Sequence, residues 1–148
     1  PAAQWIEFID QLPPKYTIFL LGAPGDAALC ESIRKTALHP FVVNLSSKLS
    51  FLQSAALMKG AIMNYVNDSA PMHFASAVNA PVAAVYCSTV PAFGYGPLSD
   101  TRFIIETKEQ LSCGPCGLHG HKACPKKHFN CAVTIQVAQL TEVLDKVT

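Results

Sequence analysis

The chain has 148 residues, of which 50% are hydrophobic and only 14% charged, with a formal net charge of +1. This length can bury one ordinary hydrophobic core but is too short for two full domains. The small charge creates no global electrostatic field, so it favours neither nucleic acid nor another polyanion as a partner. Asn, Lys or Pro interrupts every apolar stretch before the roughly 18 residues of a membrane span, which predicts a soluble protein.

The chain begins at Pro1 without an initiator Met and enters a helical pattern directly, with no secretion signal. We therefore expect it to be part of a longer protein. Among its six cysteines, Cys30 and Cys87 have apolar neighbours, which is typical of buried free thiols. This pattern favours a reducing, cytosolic compartment.

Hydrophobic spacing predicts helices and strands in alternation. Residues 2–12 follow a helical period that ends at Pro13 and Pro14. The apolar run 16–21 predicts a strand buried on both faces. Further helices are predicted at 26–35, 51–59, 71–78 and 132–146, and further strands at 41–44, 62–66, 82–86 and 102–105. This alternation predicts an α/β fold with a Rossmann-like, doubly wound parallel sheet, formed as one domain over residues 1–148.

In such sheets the ligand lies at the carboxyl ends of the strands. The first candidate loop, 22–26, contains Gly22 and Gly25, which allow close backbone approach, and Asp26, which can accept hydrogen bonds from ribose hydroxyls. Asp26 as a helix N-cap is an equally acceptable interpretation. The two glycines do not fit the Gly-x-Gly-x-x-Gly turn, which disfavours a nicotinamide-dependent enzyme.

The second candidate loop is Asn67-Asp68-Ser69-Ala70-Pro71-Met72-His73. Ser69 can cap the following helix, and Pro71 suits the first helical turn. Free N–H groups near Ser69, together with the helix dipole, create a site suited to a diphosphate. Asp68 would repel that diphosphate, so a sugar hydroxyl or a nearby N–H is its better partner. Capping alone also explains this loop.

Residues 67–77 resemble the Asn-Asp-Ser-Gly-Pro-Met-His-Leu-Ala-Ala-Ala signature of glycosyltransferase family 9, the heptosyltransferases. Three further segments, 81–86, 88–91 and 96–98, are similar to family segments in the same order, and residues 44–50 are similar to a fourth. The resemblance covers nearly the whole chain. It implies the C-terminal domain of a GT-B glycosyltransferase, the half that holds the nucleotide-sugar.

The donor-binding residues that the resemblance implies are Asp26, Ser47, Lys48, Leu49, Asp68, Ser69, Ala70 and His73. The first contacts the nucleoside, the next three lie beside the base, and the last four hold the diphosphate and sugar. Ala70 and Ser47 depart from the family pattern, which usually has Gly at both positions. A side chain there restricts the backbone where the donor approaches.

The resemblance also implies an activity, the inverting transfer of heptose or a related sugar from ADP-heptose to a lipopolysaccharide core acceptor, without a cofactor or an active-site metal. The general base of the family lies in an N-terminal domain that these residues do not include. We therefore expect no catalytic residue here and no turnover by these residues alone. The expected partners are an ADP-sugar, a lipid-linked oligosaccharide and that N-terminal domain, with no nucleic acid.

The resemblance places the enzyme in the cytoplasm, where peripheral contact with the inner face of the bacterial inner membrane would bring it to its acceptor. A basic region agrees with such contact, although solvated charge also explains it. Its lysines are Lys108, Lys122, Lys126 and Lys127.

The long loop region after residue 87 is rich in proline, glycine and cysteine. Cys113, Cys116, Cys124 and Cys131 could form a structural loop near the acceptor, a zinc site or disulfides, and we expect them to lie close together. A redox pair of Cys113 and Cys116 is disfavoured because no strand precedes it. A zinc- or disulfide-clipped binding module without enzymatic activity is the alternative function.

Overall fold

Helices and strands alternate along the protein in a computed structural model that describes residues 1–121 and 123–148. They form two compact units, Pro1–Ser54 and Ala55–Thr148. All strands that pair do so in parallel, with two strands in the first unit and three in the second. The predicted α/β class with parallel strands is therefore confirmed.

The first unit contains two helices and two strands. They are α1 (Ala2–Gln11), β1 (Ile18–Leu20), α2 (Ala27–Thr36) and β2 (Val42–Asn44). Helix α1 packs against α2, and the buried side chains on their facing sides include Phe8, Ile9 and Ile33. The prediction that β1 is buried on both faces is wrong, because Phe19 at its centre is 44% exposed. Strand β1 pairs only with β2 among the described residues, and the outward side of this two-stranded sheet leaves Phe19 open to solvent.

Helix α3 (Phe51–Lys59) crosses the boundary of the two units and has the predicted limits. The second unit then contains β3 (Asn64–Asn67), α4 (Ala70–Ala77), β4 (Val82–Val85) and β5 (Arg102–Ile105). Strand β4 lies between β3 and β5, and all of its residues are buried. A central parallel strand has both faces covered, which explains the uninterrupted run of small apolar residues in β4.

The predicted helix 132–146 is two helices, α5 (Asn130–Val133) and α6 (Val137–Asp145). The break has a local cause. The side chain of Gln139 accepts a hydrogen bond from the Gln136 N–H at 3.0 Å, which caps the start of α6. Thr134 Oγ1 donates to Asn130 O at 2.7 Å, which closes α5. Apolar periodicity continues across the break, so it did not reveal these caps.

Candidate functional site

The loop after β1 holds Asp26 through its own backbone. The Asp26 carboxylate accepts a hydrogen bond from the Ala23 N–H at 2.9 Å, across a short 3-10 helix over Pro24–Asp26. Asp26 stands at the predicted N-cap position of α2 but makes no side-chain hydrogen bond to the N-terminus of that helix. A Cβ at Gly22 would lie only 2.7 Å from the Asp26 Cβ, so this turn requires glycine at position 22.

The loop after β2 is bonded to the loop that carries Asp26. The Ser47 N–H donates to Gly22 O at 2.9 Å, which places two of the predicted nucleoside-binding segments side by side. Ser47 has a φ of 63°, in the left-handed region. A residue with a Cβ adopts this conformation at a cost of roughly 1–2 kcal/mol, which agrees with the backbone restriction expected from serine at this position. Lys48 Nζ donates to Asn44 O at 2.9 Å and is exposed, while Leu49 is half-buried.

A polar network beneath this loop was missed at the level of sequence. The Asn44 side chain accepts the Ser46 N–H at 3.0 Å and donates to Glu31 at 3.1 Å. Arg34, at 2.6 Å from Glu31, and then Asn44 hold the pKa of Glu31 at about 2, well below its ordinary value. Asn44 thereby positions the segment that includes Ser47 and Lys48. The only sequence signal was an amide at the end of an apolar strand.

The loop after β3 contains Asp68 and Ser69, and α4 begins directly afterwards with Ala70. Ser69 Oγ donates to Asn67 O at 3.3 Å and makes no capping bond to α4, so the predicted side-chain cap is wrong. The Met72 N–H donates to Ser69 O at 3.0 Å, so it is not one of the free N–H groups expected near Ser69. Within the described part of the chain, the N–H groups of Ser69 and Ala70 have no protein acceptor.

Three predicted donor-binding residues of this loop and helix differ in backbone, exposure and contacts. Ala70 is the first residue of α4 and has helical backbone, a conformation that does not require glycine. His73 lies on the exposed side of the same helix. Asp68 is half-buried and accepts a hydrogen bond from the Thr89 hydroxyl, which links the loops after β3 and β4. Thr89 lies in a segment that is similar to the family, but its contact with Asp68 was not predicted.

The cysteine segment, residues 113–131, packs on the loop after β4. The Cys116 N–H donates to Ser88 O at 2.7 Å, and Gly120 lies so close that a Cβ there would collide with the Ser88 side chain. The rings of Tyr95 and His119 are in contact, with their centroids 6.0 Å apart. The cysteine segment is therefore attached next to Thr89, the partner of Asp68.

Four cysteines of this segment line one cavity, in agreement with the expectation that they lie close together. They are Cys113, Cys116, Cys124 and Cys131. Backbone hydrogen bonds, the strongest from Phe129, lower the pKa of Cys124. Burial raises the pKa of Cys131, and the neighbouring sulfurs of Cys116, Cys124 and Cys113 add to this effect.

The other two cysteines differ from each other in burial. Cys30 is buried as predicted, whereas Cys87 is half-buried, so its predicted full burial is wrong. Strand β4 ends at Val85, and Cys87 follows in the loop beyond the fully covered part of the sheet.

Cys87 should react slowly with alkylating reagents. Burial is the main cause that raises the pKa of its thiol from 9.0 to about 11, and the thiolate is the reactive form. A shift of this size reduces the thiolate fraction at pH 8 by about a hundredfold. The rate of iodoacetamide modification at Cys87, followed by mass spectrometry of its peptide, should be lower by about that factor than in urea-unfolded protein. This rate should increase with pH until the pH passes about 11. Equal rates in the folded and unfolded states would contradict this prediction.

Lys108, Lys126 and Lys127 are exposed, and Lys122 lies outside the described residues. Among residues 1–121 and 123–148, none of the helices combines the length and the apolar character that a membrane crossing requires.

The structure thus defines an α/β protein whose candidate ligand-binding residues follow the carboxyl ends of parallel strands. Its sequence matches the model of Glycosyltransferase family 9 (heptosyltransferase) over residues 1–144. The chain belongs to this family, and the predicted membership is confirmed.

The chain matches only part of a longer relative. It is 36% identical over 97 residues to Lipooligosaccharide heptosyltransferase 2 of Haemophilus influenzae, a stretch that is 64% of this chain and 28% of that protein. The chain therefore spans less than a third of that relative's length.

Two solved structures share the fold. The glycosyl transferase family 9 from Veillonella parvula DSM 2008 has a TM-score of 0.78 and 20% identity, over 99% of this chain and 41% of that one. The ADP-heptose lps heptosyltransferase II of E. coli has a TM-score of 0.70 and 24% identity, over 99% of this chain and 42% of that one.

Proposed function

We propose that these residues are the nucleotide-sugar-binding C-terminal domain of a GT-B glycosyltransferase. The complete enzyme would transfer heptose, or a related sugar, from ADP-heptose to a lipopolysaccharide core acceptor with inversion. The observation that carries this proposal is the loop between β3 and α4. It contains the family signature and presents two N–H groups without protein acceptors at the start of a helix.

The diphosphate and sugar are assigned to Asp68, Ser69, Ala70 and His73. The N–H groups of Ser69 and Ala70 can donate to phosphate oxygens, and the positive end of the α4 dipole favours their negative charge. His73 lies one turn further along the helix and is exposed. Asp68 is fixed by Thr89 and carries negative charge, so we assign it to sugar hydroxyls and not to phosphate.

The nucleoside is assigned to residues of the first unit. The Asp26 carboxylate is exposed although it accepts the Ala23 N–H, so it can also accept from ribose hydroxyls. Ser47, Lys48 and Leu49 are assigned to the base. The bond from the Ser47 N–H to Gly22 O supports this assignment, because it keeps the two segments adjacent.

Acceptor binding and the general base are assigned to a further, N-terminal domain of the complete enzyme. The partial coverage of the relatives supports this assignment. The role of these residues in the reaction is to bind the donor and to stabilise the leaving diphosphate through the start of α4. We propose a cytoplasmic location, with exposed lysines of the cysteine segment facing the anionic lipid acceptor at the inner membrane surface.

Replacing Asp26 tests the nucleoside assignment. Asp26→Ala in the full-length protein should weaken ADP binding by about ten- to a hundredfold, because it removes a charged hydrogen-bond acceptor worth about 1.5–3 kcal/mol. Inorganic diphosphate has no ribose and so makes no hydrogen bond to Asp26, and its affinity should fall by less than about twofold. Isothermal titration calorimetry measures both affinities.

Asp10→Ala is a matched control in the same unit, since Asp10 accepts the Leu38 N–H at 2.7 Å but is assigned no ligand. It should leave both affinities unchanged. If Asp26→Ala weakened ADP and diphosphate equally, Asp26 would serve only to hold its loop. If the wild-type protein had no affinity for ADP, the binding module without enzymatic activity would be the better function.

A further inference from the structure

The cysteine segment contains a set of groups that the donor site does not use. A cavity of about 320 Å³ is lined by Cys113, Cys116, Cys124 and Cys131, together with His121 and His128. All six cysteines of the chain are free thiols, so none of these four sulfurs is already committed to a disulfide. Four thiols on one cavity are as many ligands as a tetrahedral zinc site needs.

The turn after Cys124 is closed by the Lys127 N–H, which donates to Cys124 O at 3.0 Å. It contains two residues with left-handed backbone, Lys127 with φ 61° and Phe129 with φ 51°. Neither is glycine, so each adopts this conformation at a cost of roughly 1–2 kcal/mol. An interaction at the sulfur would offset that cost.

The other thiols are close to one another and to further polar groups. Cys113 Sγ lies 3.8 Å from His128 Nε2, and Cys116 Sγ lies 3.4 Å from Cys113 O. Among the described residues, no three Cys, His, Asp or Glu side chains already converge on a common point. Metal binding therefore requires the sulfurs on this cavity to move closer together than they lie in this structure.

We propose that Cys113, Cys116, Cys124 and Cys131 bind one structural Zn²⁺ through four thiolates. Four thiols release four protons as the metal binds, and the resulting site has a charge of −2. Lys126 lines the cavity, and Lys127 next to it is exposed, so two positive charges lie near that negative site. His128, beside Cys113, is a neighbour that can donate a hydrogen bond to a bound thiolate.

The zinc would have a structural purpose that follows from what the segment touches. The segment donates the Cys116 N–H to Ser88 O, and the next residue, Thr89, donates to Asp68. Clamping the segment would therefore order the loop that fixes Asp68. The zinc proposal itself does not depend on the proposed donor site, because it rests on the thiols and not on any nucleotide.

Metal analysis of the protein tests this proposal. Protein purified without chelator should contain one zinc per chain by inductively coupled plasma mass spectrometry. Cys124→Ser and Cys131→Ser should lose it, while Cys30→Ala, in the other unit and outside the cavity, should keep it. If the serine variants fail to fold, Co²⁺ substituted into the wild-type protein gives the same information, since thiolate-to-cobalt charge-transfer bands report tetrahedral sulfur ligation.

Thiol counting under denaturing conditions completes the experiment. Six reactive thiols without metal would overturn the proposal. A count lower by two or four would show disulfides and would overturn it as well. Four tetrahedral thiolates can bind either zinc or iron. Iron in place of zinc would therefore also overturn the proposal. Unchanged zinc content in both serine variants would show that these sulfurs are not the ligands.

Discussion

Ser69→Asp should weaken ADP binding at least tenfold and leave the free energy of unfolding unchanged or slightly higher. The side chain is exposed and makes only a 3.3 Å bond to Asn67 O, so little stability is lost with it. A carboxylate before α4 interacts favourably with the helix dipole, by about 0.3–1 kcal/mol. The same carboxylate, about 4 Å from a phosphate, costs about 1 kcal/mol per charge pair in water and about 4 kcal/mol near a protein surface.

Ser69→Asn is the control for this change, because asparagine has nearly the same size and capping ability as aspartate but no charge. It should change ADP affinity less than about threefold, since no charge pair of about 1 kcal/mol or more is introduced. Calorimetry and urea unfolding measure the two effects separately. ADP binding by Ser69→Asp that equals wild-type binding would mean that the diphosphate does not lie at the start of α4.

Met72→Ala should lower the free energy of unfolding by about 2–5 kcal/mol, the range for truncating a large buried side chain. Met72 has no exposed surface, and its sulfur lies 3.1 Å from the Tyr86 hydroxyl. His73, the next residue on the same helix, is exposed. His73→Ala should therefore change stability by less than about 0.5 kcal/mol, while weakening ADP binding if His73 contacts the donor.

Urea unfolding followed by circular dichroism measures both stabilities. Met72→Leu, which conserves volume, should cost less than about 1.5 kcal/mol and separates the cavity from the loss of the sulfur. Equal destabilisation by Met72→Ala and His73→Ala would contradict the assignment of one residue to the core and the other to the surface.

Most helices and strands could be predicted from sequence because each has a distinct apolar period. Strand β5 and helix α3 have the predicted limits, and β4 differs by one residue at its end. The break between α5 and α6 could not be predicted, because it depends on a side-chain cap by Gln139 within a continuous apolar pattern. The exposure of Phe19 depends on which strands pair with β1, and hydrophobic runs do not specify the neighbours of a strand.

The candidate site was only partly predictable for a related reason. The signature residues Asp68–His73 are contiguous, so their common location follows from one loop and one helix. The contact of Asp68 with Thr89 joins two loops, and it appears only when β3 and β4 pair. The Asp26 carboxylate is held by the Ala23 N–H in a turn that brings Gly22 close to Asp26, and sequence spacing does not reveal this turn.

The contact between Gly120 and Ser88 has a consequence for exchanging parts between family members. A segment grafted from a relative in place of residues 113–131 must carry glycine at the position of Gly120, because a Cβ there collides with the Ser88 side chain. It must also keep an N–H group where Cys116 donates to Ser88 O. With both conditions met, we expect a grafted segment to keep these two attachments to the loop after β4.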